Sequence, residues 1–82
     1  MILVDIYVPS VGNTYDFRLD EEEKISAIIE EISELIGQKE HCQIVGDIKK
    51  LMLCSKKNQQ ILPKHSTLST NGIVTGSSLL LV

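Results

Sequence analysis

An α+β fold, a mixed β-sheet with one amphipathic helix across one face, is predicted by three features of this 82-residue sequence. Residues 20–37 carry apolar side chains at helical spacing. The segments on either side alternate apolar and polar residues with a period of two. No second helical pattern is available, which excludes two-helix α+β sandwiches.

The helix rests on Ile25, Ile28, Ile29, Ile32, Leu35 and Ile36. At about 100° per residue these six fall within an arc of roughly 120°. Glu23, Glu30, Glu31 and Glu34 project from the remaining surface. Asp20 is placed to cap the first turn, with Glu23 at capping-box spacing, and Gly37 to close the last. Isoleucine is a modest helix former, so the segment needs a partner surface to stay helical.

That surface is a sheet. Residues 1–8 alternate Ile2, Val4, Ile6 and Val8 with Leu3, Asp5 and Tyr7. After the turn residues Pro9, Gly12 and Asn13, residues 14–19 alternate Tyr15, Phe17 and Leu19 with Thr14, Asp16 and Arg18. Two such strands around a short turn form a hairpin. Residues 38–47 lack a period; Ile44 and Val45 are expected to plug one end of the core, with His41 and Cys42 in a loop. Residues 50–55 read as a third strand. Ile61 and Leu62 are at most a short edge strand, because Pro63 stops it. Residues 77–82 form the last strand. The order ββαββ, or ββαβββ with the short edge, is that of a β-grasp, with first and last strands parallel at the centre. The expected core sets Ile25, Ile28, Ile29, Ile32 and Leu35 on Ile2, Val4, Ile6, Tyr15, Phe17, Leu51, Leu53, Leu79 and Leu81.

Composition narrows the function. An apolar fraction of 43% with 23% charged residues is that of a folded protein. Residues 1–82 are expected to form one domain. The net charge of −3 disfavours nucleic acid as a partner. No apolar run reaches the length of a membrane span and no leader pattern opens the chain, so a cytoplasmic location is expected. Ten of the eleven acids lie in residues 1–40, while the second half carries Lys49, Lys50, Lys56, Lys57 and Lys64. These bases mark either ordinary solvated turns or a basic edge for an acidic partner. Cys42, Cys54, His41 and His65 lack metal-ligand spacing, and nothing orients a base beside a nucleophile. No glycine-rich phosphate loop is present. Neither an enzyme, a metal nor a cofactor is expected.

From Thr67 the text Thr-Leu-Ser-Thr-Asn-Gly-Ile-Val-Thr-Gly-Ser-Ser-Leu-Leu-Leu-Val resembles the last turn and strand of ubiquitin. Leu51 to Lys56 is similar to ubiquitin's third strand. The sequence stops at Val82, inside the last strand, where ubiquitin and the sulfur carriers continue to a Gly-Gly end that is adenylated. The resemblance is therefore expected to carry the fold and not conjugation chemistry. Length, element order and the C-terminal pattern most resemble the YukD/EsaB-like ubiquitin-like proteins of bacterial type VII (Ess) secretion systems. That resemblance implies a cytosolic, non-conjugated accessory that acts by binding a protein, with a component of the secretion system as the candidate partner. The alternatives are a ubiquitin-like modifier or sulfur carrier, and a ubiquitin-like interaction domain of an unrelated complex.

Strand alternation points to the surface that binds. If Leu79 and Leu81 face the helix, Leu80 and Val82 face away from it, as do Leu3 and Tyr7 on the first strand and Met52 and Cys54 on the third. Leu3, Tyr7, Met52, Leu80 and Val82 are the candidate binding residues, expected to form one contiguous apolar patch on the open side of the sheet. By the ubiquitin resemblance, Met52 and Val82 occupy that family's apolar recognition patch, with Leu80 in place of a histidine. The patch suits a protein partner or a homodimer. Isolated apolar residues on a surface are ordinary, but clustering over three adjacent strands exceeds scatter.

Overall fold

The computed structural model describes residues 1–40 and 50–82. In it the chain runs β1 (Ile2–Val8), β2 (Asn13–Leu19), α1 (Ile25–Glu40), β3 (Leu53–Ser55), β4 (Gln60–Ile61) and β5 (Ser78–Leu81). The five strands form one sheet in the order β2-β1-β5-β3-β4. β1 and β5 are parallel, and the other neighbours are antiparallel. This is the β-grasp arrangement expected from the element order. His41, Cys42, Ile44, Val45 and Lys49 lie outside the described residues.

The hairpin turn is set by Gly12, whose φ of +70° suits a residue without Cβ. The amides of Val11 and Gly12 both donate to the Val8 carbonyl, at 3.1 and 2.9 Å. The resulting register places Ile2 opposite Leu19, Val4 opposite Phe17 and Ile6 opposite Tyr15. Val4, Ile6, Val8, Phe17 and Leu19 are buried, and Ile2 and Tyr15 pack at the core margin. Leu53, Leu79 and Leu81 complete the sheet's half of the core. Leu51 packs against the same cluster from its edge.

On α1 the buried apolar residues are Ile25, Ile28, Ile29, Ile32 and Ile36. Leu35, expected in the core, is instead 39% exposed, while Ile36 is fully buried. The reason is phase: Leu35 lies about 75° from the centre of the stripe, and Ile36 about 25°. Leu62, Leu68 and Ile73 close the core from the segment that returns to β5.

Both helix ends differ from expectation. Asp20 does not cap the helix; its Oδ1 accepts the Glu22 amide at 3.0 Å, and its carbonyl accepts the Glu23 amide at 3.1 Å, building a turn ahead of α1. Lys24 then forms an isolated bridge with Thr67, so the helix starts at Ile25. Its first amides are satisfied from across the molecule: Ile25 donates to the Ser66 carbonyl at 2.9 Å and Ser26 to the Lys64 carbonyl at 3.1 Å. Gly37 lies within the helix and does not end it. Glu40, the last helical residue described, accepts from Asn13 Nδ2 at 2.9 Å and from the Tyr15 hydroxyl, tying the helix to β2.

The third strand is shorter than residues 50–55, because only residues 53–55 pair in regular ladder fashion. The last strand is likewise trimmed to Ser78–Leu81, although Met52 and Val82 exchange backbone hydrogen bonds beyond both ends.

Two stability predictions follow the packing. Ile29→Ala opens a cavity under the centre of the helix and should cost about 2–5 kcal/mol by chemical denaturation. Leu35→Ala, at the exposed flank, should cost about 1 kcal/mol or less. A comparable loss at both sites is the result that would contradict this helix phase. Glu23 is half-buried near the start of α1; desolvation first, then the Glu31 and Asp20 carboxylates, push its pKa above the ordinary 4.5. A raised folded-state pKa means the folded chain holds this proton more tightly than the unfolded chain, so the charged carboxylate costs stability above the acid range and the cost is lost as pH falls. Glu23→Gln should therefore raise the melting temperature at pH 7, with the gain shrinking as pH falls through the acid range where the wild-type carboxyl takes up a proton.

Candidate functional site

With α1 covering one side of the sheet, alternation sends the intervening side chains to the other. β1 contributes Leu3, Asp5 and Tyr7, and β2 contributes Thr14, Asp16 and Arg18. Leu80 and Ser78 come from β5, Cys54 from β3 and Ile61 from β4. The strand registers arrange them in rows.

The longest row crosses all five strands. Thr14 lies opposite Tyr7, Tyr7 beside Leu80, Leu80 opposite Cys54, and Cys54 opposite Ile61. Met52 and Val82 adjoin it, held together by the Met52 amide to the Val82 carbonyl at 2.6 Å and its reciprocal at 2.9 Å. Ile61 is 57% exposed, Val82 42% and Met52 37%; Tyr7, Leu80 and Cys54 are half-buried. Four of the five expected residues, Tyr7, Met52, Leu80 and Val82, are thus brought together at one end of the open face.

Leu3 is not among them. It is 51% exposed but lies four residues along β1 from Tyr7, about 13 Å. Between them runs a polar belt. The Ser78 hydroxyl donates to Asp5 at 2.8 Å, and the Lys56 amide donates to the Ser78 carbonyl at 3.1 Å. Asp16 faces Asp5 across the β1–β2 ladder. The expectation of one contiguous patch including Leu3 is therefore corrected. Alternation tells which face a residue is on; how far along the strand its neighbours stand depends on register.

Two participants escaped the sequence reading. Ile61 sits in a strand of two residues, too short for its phase to be read, and only its pairing with Cys54 places it on the open face. Lys56 sets its Nζ 5.2 Å from the centroid of the Tyr7 ring, a cation–π contact that borders the apolar row with a positive charge. Lys50 and Lys57 are exposed, as is His65. Among the described residues no group of three or more His, Cys, Asp or Glu could hold a metal ion. No described helix is long and apolar enough to cross a membrane.

No family model and no curated protein matches the sequence. Solved structures do match. One is the solution structure of the N-terminal ubiquitin-like domain of the 4931431F19Rik protein, with a TM-score of 0.75 and 26% identity, covering 99% of this chain and 72% of that one. A second is the ubiquitin-like domain of an Arabidopsis thaliana protein, with a TM-score of 0.73 and 20% identity over 99% of this chain and 74% of that one. A third is ATBAG1 in complex with HSP70, with a TM-score of 0.75 and 13% identity; this chain spans 40% of its length. The fold is ubiquitin-like.

Cys54 offers a chemical probe of the apolar row. Burial pushes its thiol pKa above the ordinary 9.0, so the nucleophilic thiolate is scarcer at neutral pH than in a free thiol. In a Cys42→Ser background, Cys54 should react with iodoacetamide more slowly than free cysteine at pH 7.5. The rate should climb only as pH passes the ordinary thiol range. Alkylation as fast as free cysteine at neutral pH would show that the row does not shield it.

Proposed function

We infer that this chain is a ubiquitin-like protein-interaction domain that docks a protein partner on the apolar end of its open sheet face. The observation that carries this reading is the register row Tyr7–Leu80–Cys54–Ile61 with Met52 and Val82 beside it. The alternate residues of the same strands already fill the core, so these side chains have no internal packing role. A clustered apolar surface bordered by polar groups is the usual form of a binding site. Lys56 at its border adds attraction for acidic groups on a partner. The complex of ATBAG1 with HSP70 shows one protein containing this fold engaged with another protein, which supports a binding role and names no partner for this chain.

The setting proposed is that of a cytoplasmic, non-enzymatic accessory of a type VII secretion system. It rests on the resemblance of element order and of residues 67–82 to the YukD/EsaB-like proteins.

The test uses purified cytosolic components of such a system as bait. Met52→Asp and Leu80→Asp should each weaken capture by roughly tenfold or more, about 1.4 kcal/mol. Leu3→Asp, beyond the polar belt, should bind like wild type. Thermal unfolding of the three variants shows whether any loss reflects the surface or the fold; Met52, outside the regular strand, is the milder substitution. Loss with Leu3→Asp but not with Met52→Asp would move the site to the other end of the face. No capture of wild type would remove the secretion setting.

A further inference from the structure

The two edges of the sheet are unlike. β4 is two residues long, and Pro63 follows soon after, which leaves little backbone for another strand to pair with. β2 is a seven-residue edge strand without proline or glycine, and among the described residues no strand pairs with its outer side. Natural proteins commonly blunt such an edge.

The charges on β2 are also incomplete. Asp16 stands directly opposite Asp5 on the open face, an unfavourable like-charge pair. Asp5 is engaged by the Ser78 hydroxyl at 2.8 and 3.1 Å. Asp16 has no ion-pair or hydrogen-bond partner among the described residues, nor has Arg18, two positions along on the same face. Both side chains are exposed, so each is open to a group of opposite charge on another molecule.

A second copy supplies both. We propose that β2 pairs antiparallel with β2 of another molecule about a two-fold axis through Phe17, joining two sheets into one of ten strands. This register sets Asp16 of each copy opposite Arg18 of the other, twice over, and on the helix side Phe17 opposite its equivalent and Tyr15 opposite Leu19. Other centres that keep the faces matched are worse. An axis at Asp16 sets that aspartate against itself. One at Arg18 opposes the two arginines and puts Asp16 against Asp20. One at Tyr15 leaves both charges unpaired. The charge pattern therefore selects one register as well as a partner. The contact is small, so the dimer is weak and forms at high concentration.

The proposal is independent of the open-face docking site, and the test separates them. Sedimentation velocity up to roughly 1 mM should show wild type moving from monomer toward dimer. D16R and R18D, each placing like charges across the axis, should remain monomeric over that range. Mixed in equal amounts they should associate, because D16R presents two cations where R18D presents two anions; this recovery also shows that both variants are folded. Leu80→Asp should self-associate like wild type. Wild type that stays monomeric, single variants that dimerise normally, a mixture that does not associate, or loss of association in Leu80→Asp would each overturn the assignment.

Discussion

Everything in this fold depends on burying the isoleucine stripe of α1 against the parallel pair of β1 and β5. Neither partner is stable alone. Isoleucine holds a helix weakly, because its branched Cβ restricts χ1 against the preceding turn. A parallel strand pair cannot be closed by a short turn and needs a long crossover. The contact solves both problems at once. Ile25, Ile28, Ile29, Ile32 and Ile36 are buried against Ile6, Leu79 and Leu81. The helix is then locked by groups far away in sequence. The carbonyls of Lys64 and Ser66 satisfy its first amides, and Glu40 at its far end is bound to Asn13 and Tyr15 of β2.

Committing one face of the sheet to the helix leaves the composition of the other unconstrained by packing, and the proposed docking site lies there. The open face is divided. Asp5, Ser78, Asp16 and the Lys56 backbone make a polar belt, and the apolar row of Tyr7, Leu80, Cys54 and Ile61 lies on one side of it. A belt of this kind limits the apolar area that is continuous. Lys56 contributes to both: its amide joins the belt and its ammonium rests over Tyr7.

What the sequence revealed was what depends on local periodicity. The alternation Leu79 in, Leu80 out, Leu81 in is a property of any strand, so the faces of β1, β2 and β5 were readable directly. The helix stripe was readable for the same reason, except at its flank, where a few tens of degrees separate the exposed Leu35 from the buried Ile36. What could not be read depends on pairing between distant segments. The separation of Leu3 from Tyr7's neighbours follows from the β1–β5 register. The place of Ile61 follows from its pairing with Cys54. Asp20 is a good cap by type and does accept the Glu22 and Glu23 amides, but these build a separate turn; the helix starts later, where the Ile25 and Ser26 amides meet carbonyls some forty residues on. Local propensity loses where a tertiary partner is better placed.

The geometry of the edge has a consequence for the face. In the proposed dimer the two-fold axis through Phe17 stands perpendicular to the sheet, so both helices lie on one side of the joined sheet and both open faces on the other. The two apolar rows then point in the same direction. With strands about 4.8 Å apart and a rise of about 3.3 Å per residue, the two Leu80 side chains stand on the order of 30 Å apart. A partner that carries two copies of its own docking element across that span binds both at once, and the second contact forms at the high effective concentration set by the first. The proposed pairing at β2 and the proposed docking on the face are thus coupled. A bivalent partner favours the dimer by occupying both patches, and the dimer tightens the partner by presenting them together. A monovalent partner gains nothing from the edge. Asp16 and Arg18, exposed and without a partner among the described residues, are the charges that set the register of the proposed dimer and so make that distinction possible.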